Sequence, residues 1–200
     1  RLKNLFEKYQ FKFESQADKR QGWTEEDAIL ITYGDVIKDK DKPEKKSLEL
    51  LEDFLDTYLN SAISTVHILS FFTSSSDKGF SVIDYKQVRP DLGNWNNIEQ
   101  LSAKYRLMAD LVINHTSRSS KWFMNYQEGK DPGKDYFIEV EADEDLTTVT
   151  RARDSELKTA VETPNGLKYV WTTFSDDQID LNFTNPDVLF EFIEIFFFYI

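Results

Sequence analysis

The sequence contains no cysteine, so neither a disulfide nor a thiolate metal site can form within its 200 residues. That absence fits a reducing compartment, and a cytoplasmic location is the expectation. Glycine and proline are sparse, at 7 and 5 residues, which excludes collagen-like and Pro/Gly-rich disordered compositions. Positive charge is in the minority: 24 Lys and Arg stand against 36 Asp and Glu, for a formal net charge of -12. This balance offers no basic footprint, so neither nucleic acid nor an anionic membrane is an expected partner. Long apolar runs are also lacking. The greasiest stretch, "VLFEFIEIFFFYI" (188–200), is broken by Glu191 and Glu194. It falls short of the ~20 apolar residues of a membrane span and reads as a buried helix. It reaches Ile200 without a helix stop, and the opening "RLKNLFEKYQ" has neither an initiator Met nor a signal-peptide core. The chain therefore reads as a piece of a longer one. Its oligomeric state is not legible.

What is present is globular. Apolar residues make up 40% of the chain, including 16 Phe, 9 Tyr and 4 Trp, enough for a domain with a substantial core. Residues 1–20 read as a helix with Leu2, Leu5, Phe6 and Tyr9 on one side. "AILITYGD" (28–35) reads as a strand opening into a loop, and "KDKDKPEKK" (38–46) as surface loop. In "SLELLEDFLDTYLN" (47–60), Leu48, Leu51, Leu55 and Tyr58 recur at spacings of three and four, which predicts an amphipathic helix capped by Ser47. A second strand is expected over 64–72, and a helix over 95–105 with Ile98, Leu101 and Tyr105 inward. A third strand should run over 106–114. Asn185 and Pro186 should open a last helix, 186–200.

Strands alternating with helices predict a parallel sheet flanked by helices, either a barrel or an open doubly wound sheet. In both, working residues lie at the carboxyl ends of strands, which is where Asn114 and His115 fall. The segment 116–184 is too long for an ordinary connection and reads as a β-rich insert. Its turn chemistry is at 128–135, its strand-like pieces are at 136–140 and 167–174, and the acidic stretch 139–149 is a solvated face.

Four separated motifs carry a family resemblance. "DLVINH" (110–115), followed by an insert, resembles the first signature region of the alpha-amylase superfamily. "VHILSFFTSSSDKGFSVIDYKQVRPDLGNW" (66–95) and "VWTTFSDDQIDLNFTNPDVL" (170–189) resemble its sucrose phosphorylase subfamily. "WTEEDAILITYGD" (23–35) is most similar to the glucosylglycerate phosphorylases. The resemblance implies an α/β fold: the N-terminal part of a (β/α)8 TIM barrel, its first three βα units, with a small β-rich subdomain after the third strand. The implied divisions are a helical extension (1–27), barrel (28–115), inserted subdomain (116–177) and return to the barrel (178–200).

The implied reaction is retaining cleavage of an α-glucoside, glucosylglycerate or sucrose, by a pair of carboxylates about 5 Å apart. Inorganic phosphate is the co-substrate, glucose 1-phosphate is the product, and no cofactor takes part. In the family the nucleophile follows the fourth strand, the acid/base the fifth and a third carboxylate the seventh. No catalytic residue is therefore expected within these 200, which by themselves should be inactive. A hydrolase or transglucosylase of the superfamily, or a catalytically silent amylase-like domain, are the alternatives.

On its own, His115 is either a substrate contact or a strand-end histidine bonded to backbone; the resemblance selects the former, as a donor to glucose. Asp77 and Phe80, with Gly79 allowing a tight turn between them, are implied as a hydroxyl acceptor and a stacking platform. Phe174 and Gln178 are implied to line the same site. Asp84, Tyr85, Asp110, Asn114, Asp180 and Asn182 are implied as loop anchors, and no metal is expected. His67 reads as a packed histidine with a backbone partner. Arg151 and Arg153 invite a phosphate or acidic-acceptor role that the default, solvated reading outweighs. Ser70, Lys78 and Ala152 depart from the subfamily's usual Pro, Asp and Pro, which bears on fine specificity.

Overall fold

The computed structural model describes residues 1–15, 24–25, 27–60, 62–151 and 153–200. Residues 16–20 of the expected first helix, and Ala152, lie outside the described residues. The elements in order are α1 (Leu2–Ser15), β1 (Ile29–Tyr33), α2 (Ser47–Phe54), β2 (Thr65–Leu69), β3 (Phe72–Ser74), β4 (Val82–Val88), α3 (Trp95–Lys104) and β5 (Arg106–Ala109). There follow β6 (His115–Ser117), α4 (Lys121–Glu128), β7 (Glu139–Val140), β8 (Lys158–Thr163), β9 (Gly166–Trp171), β10 (Gln178–Asp180) and α5 (Pro186–Tyr199). Contacts divide the chain into two compact units. One gathers Arg1–Ser15, Ser74–Asp84 and Val112–Ile200; the other gathers the described residues from 16 to 73 together with Tyr85–Leu111.

The second is a parallel-sheet unit. Its strands order β1-β2-β5, all parallel, with Ile31 beside His67 and His67 beside Met108. On the opposite face of the pleat, Val66 and Ile68 are fully buried, as are Leu48, Leu51 and Leu55 of the α2 region and Leu101 of α3. Each such side chain contributes about 1.5–3 kcal/mol by leaving water. Asn94 caps α3 by accepting from the Asn96 amide at 2.9 Å, and Ile98, Leu101 and Tyr105 are buried as their spacing predicts.

Four expectations in this unit need correction. The cap of α2 is Lys46 rather than Ser47, since the Glu49 carboxylate reaches back to accept from the Lys46 amide at 3.2 Å. The helix widens into a π-helical turn over Leu55–Leu59, where Thr57 Oγ1 donates to the Asp53 carbonyl at 2.7 Å. The widening carries Tyr58 off the inner face, leaving it 72% exposed. Finally, the third strand stops at Ala109, opposite Ile68 near the end of β2. Beyond it the Asp110 side chain takes over from the ladder: Oδ2 accepts from the Ser70 amide at 2.9 Å and Oδ1 lies 3.3 Å from His67 Nε2. The partner of His67 is thus a carboxylate, not backbone.

The other unit contains the insert. Its sheet, β7-β9-β8, is antiparallel, and β8 and β9 form a hairpin closed at Pro164-Asn165-Gly166. The aromatic core sets Phe123, Tyr126 and Phe137 at 5.1–5.6 Å between ring centroids. Residues of α4 supply two of these rings; Ser120 caps it by accepting from the Phe123 amide, and Gly129 ends it at φ 67°. A β-rich reading of the insert misses α4 and β8 altogether.

Asn185 caps α5 as expected, accepting from the Asp187 amide at 2.9 Å. Only one face of α5 is buried, through Val188, Phe192, Ile195 and Phe197, while Leu189 and Phe196 are exposed. It packs along α1, with Phe6 and Phe197 ring centroids 5.0 Å apart and Lys8 Nζ 2.5 Å from Glu194. Tyr9 of α1 is buried, but Leu2 and Phe6 are exposed rather than inward. Among the described residues no helix is long and apolar enough to cross a membrane.

Candidate functional site

Two short pieces of the insert unit build the site. β6 and β10 pair antiparallel, with His115 opposite Asp180 and Ser117 opposite Gln178. His115 therefore does not end the third strand; it begins a separate one, with five residues between it and the end of β5. Thr116 Oγ1 donates to the Val82 carbonyl at 2.8 Å and ties β6 to the end of the 75–81 loop.

His115 is only 4% exposed. Its Nε2 lies 3.0 Å from the Phe80 carbonyl and 3.0 Å from Gln178 Nε2. Gln178, 2% exposed, donates to Asp77 Oδ2 at 3.0 Å and accepts from Ser175 Oγ at 2.9 Å. The Phe174 ring lies against the imidazole, with centroids 4.9 Å apart and planes at 51°. His115 and Asp77 are thus held by a single amide, within two hydrogen-bond lengths of each other. All five residues expected to touch substrate, Asp77, Phe80, His115, Phe174 and Gln178, are gathered here. Phe80 reaches His115 through its main-chain carbonyl, and the ring that meets the imidazole belongs to Phe174.

Burial lowers the His115 pKa below the ordinary histidine value; the Phe80 carbonyl and the Asp180 and Asp77 charges oppose that shift without cancelling it. The ring is neutral at neutral pH. Its Nε2 then faces one group that can only accept and another that can only donate, and a single proton satisfies just one of them. A hydroxyl that both donates and accepts would meet both needs, and a sugar ring carries several such groups.

The loop carrying Asp77 is strained. Asp77 and Lys78 hold φ of 53° and 52°, and Gly79 follows at 107°. A left-handed backbone costs a non-glycine residue about 1–2 kcal/mol, while Gly79 adopts it freely. Four serines and Asp177, which motif reasoning passed over, surround this loop. Asp177 Oδ2 accepts from Ser75 and Ser76 Oγ at 2.5 Å and from Ser81 Oγ at 2.8 Å, and Ser75 Oγ meets Ser117 Oγ at 2.6 Å. Burial pushes the Asp177 pKa up, but the hydrogen bonds from Ser75, Ser76 and Ser81 outweigh it and hold the carboxyl below its ordinary value. The signal available in the sequence was the serine run directly before Asp77.

The remaining expected residues do not share one place. Asp180 accepts from the Thr173 amide at 2.7 Å and its hydroxyl at 2.8 Å, and burial raises its pKa. Asn182 Oδ1 accepts from the Thr184 amide and hydroxyl, and the Asn114 carbonyl accepts from the Leu181 amide. Asp84 is exposed. Asp110 and the buried Tyr85 belong to the parallel-sheet unit. Arg151 donates to the Thr172 and Thr173 carbonyls, while Arg153 stands 3.8 Å from Asp77 with its side chain 54% exposed, a weak pairing. Among the described residues no three His, Asp or Glu side chains gather as metal ligands would.

The family model of the alpha-amylase catalytic domain matches residues 51–200. The chain belongs to the alpha-amylase family. Within the family it is 48% identical over 185 residues to a glucosylglycerate phosphorylase of Allomeiothermus silvanus, covering 92% of this chain and 33% of that protein. It is 34% identical over 176 residues to a sucrose phosphorylase of Streptococcus mutans, covering 82% of this chain and 35% of that protein. The chain thus spans about a third of the length of these relatives. Among solved structures, the sucrose 6F-phosphate phosphorylase of Thermoanaerobacter thermosaccharolyticum superposes with a TM-score of 0.75 at 27% identity, over 88% of this chain and 37% of that one. The family and this likeness establish an α/β fold of TIM-barrel type.

Proposed function

We propose that this chain forms part of a retaining glycoside phosphorylase that moves glucose from an α-glucoside to inorganic phosphate, giving glucose 1-phosphate. Glucosylglycerate is the preferred donor and sucrose the second. The observation that carries the reading is the cluster itself: a neutral His115 and the carboxylate of Asp77, bridged by Gln178 and faced by Phe174. A carboxylate accepts from sugar hydroxyls, a neutral imidazole bonds one without adding charge, and an aromatic face covers C–H groups. The set grips a hexose and supplies no nucleophile. In this proposal the catalytic carboxylates come from sequence following Ile200, phosphate is the only co-substrate, and no cofactor or metal takes part.

The same proposal places the three parallel strands in a closed eight-stranded barrel. Supporting it, the face bearing Ile31 and Met108 is open, at 62% and 41% exposure, although parallel sheets are ordinarily covered on both faces. A cytoplasmic enzyme handling a small glucoside and phosphate also fits the absence of cysteine and the lack of a basic charge excess.

The test uses full-length protein with glucosylglycerate or sucrose, with and without phosphate. Glucose 1-phosphate formed only with phosphate is the expected result. Release of free glucose regardless of phosphate would replace the reading with a hydrolase, and no release from either donor would end it.

A further inference from the structure

Three successive left-handed residues do not hold themselves in place, and the side chains flanking them are restrained at one atom. Ser75 and Ser76 precede the strained turn and Ser81 follows it; all three hydroxyls converge on Asp177 Oδ2. Each hydroxyl has one proton. With the carboxylate drawing those protons, Ser75 Oγ is left to accept from Ser117 Oγ at 2.6 Å, and Ser117 Oγ in turn accepts from the Ser119 amide at 2.9 Å. The charge on Asp177 thereby sets the direction of the whole chain of bonds. The Asp177 carbonyl is itself fixed, accepting from the Arg118 amide at 2.9 Å.

We propose that Asp177 is a positioning residue for the donor sugar, a clamp that locks the 75–81 loop so that Asp77 faces Gln178 and the Phe80 carbonyl faces His115. Asp177 acts through the loop and touches no sugar. Its neighbour Gln178 holds the Asp77 side chain, so the two consecutive residues fix both the backbone and the tip of the same loop.

The inference rests on the sugar-binding reading of Asp77, and the test separates the two. In full-length Asp177→Ala, kcat/KM for glucosylglycerate should fall at least about tenfold. The value for phosphate should move less than about twofold, because glucose is already held when phosphate enters. Asp177→Asn keeps an acceptor oxygen and should recover to within about threefold of wild type. Hydrogen exchange at the amides of Gly79, Phe80 and Ser81, which bond within the loop, should quicken about tenfold in Asp177→Ala while Val161 and Val170 stay unchanged. Unchanged loop exchange, a donor kcat/KM within twofold of wild type, or equal losses for donor and phosphate would each overturn the clamp. If Asp177→Ala does not fold, Ser76→Ala decides on the same two readouts, with a donor loss of about threefold expected. A wild-type protein that makes no glucose 1-phosphate would sink the functional reading instead, and the clamp would stand or fall on the exchange.

Discussion

The core of the parallel-sheet unit and the Asp77–His115 corner of the insert unit are held together by different physics. In the first, apolar side chains at regular spacing close a core over β2, and the main side-chain anchor at a strand end is Asp110 with Ser70 and His67. In the second, the functional corner is a set of directional bonds among Asp77, Gln178, His115, Asp177 and four serines. Non-directional burial tolerates small errors of placement, whereas a hydrogen bond is lost within about half an ångström. The unit that reads most easily from sequence is therefore the one that carries least chemistry.

The largest effect expected from this contrast is complete. If these residues hold the sugar and the nucleophile lies elsewhere, as proposed, residues 1–200 expressed alone should release no glucose 1-phosphate from glucosylglycerate, whereas full-length protein should. Any phosphate-dependent turnover by the shorter chain would place a nucleophile inside it and undo the division between gripping and reacting groups.

Next come matched deletions of one polar anchor in each unit. Gln178→Ala separates Asp77 from His115 and leaves Ser175 without its acceptor; donor kcat/KM should drop about a hundredfold, or ~2.7 kcal/mol. Asp110→Ala removes the acceptor of the Ser70 amide and should cost about 1–3 kcal/mol of stability, with donor kcat/KM of the folded protein changed less than about threefold. Denaturant melts and initial rates on both variants measure this. If Asp110→Ala is the more damaging to turnover, the contrast between the units is wrong.

Acid should reach the insert unit through His115. Burial holds its folded pKa below the ordinary value, so the unfolded chain takes up the proton more readily. Its contribution to stability is complete above about pH 6.5 and is lost as pH falls below that value. Asp177, lowered by its serine donors, gives way only as pH falls beneath the ordinary carboxylate range. Asp180, raised by burial, works in the opposite sense, because protonation relieves its folded form. Donor kcat/KM should stay level from pH 8 down to about 6.5 and decline only below it. Donor kcat/KM that instead rose as pH fell through about 6.5 would mean that the active form carries a charged His115, not a neutral one.

The alternation of strands and helices, the apolar spacing of α3 and the Asn185-Pro186 start of α5 were legible because burial and capping act over a few neighbouring residues. The cluster of Asp77, Phe80, His115, Phe174 and Gln178 is legible only through motif resemblance, since Asp77 and Gln178 are 101 residues apart and no local periodicity links them. The Asp177 clamp was not legible, because serines and an acid read equally well as a solvated loop. The expectation at 167–174 lands on β9, but α4 and β8 escape it despite Ser120, Gly129 and the Asn165-Gly166 turn, signals obscured by the acidic stretch between them. The expected third strand is too long because apolar Leu111, Val112 and Ile113 continue its pattern beyond the ladder with β2.

The smallest effect tests the phase of α2. Leu48, Leu51, Leu55 and Tyr58 form an unbroken three-four series, and an uninterrupted α-helix would turn all four toward the sheet. A buried aromatic in that position would cost about 3–5 kcal/mol to truncate. The π-helical turn instead leaves Tyr58 72% exposed, with its ring against that of Phe54 at 5.2 Å. Tyr58→Ser should therefore change the unfolding free energy by no more than about 0.5 kcal/mol. A loss of several kcal/mol in a urea melt would show that the regular spacing, and not the widened turn, describes the protein in solution.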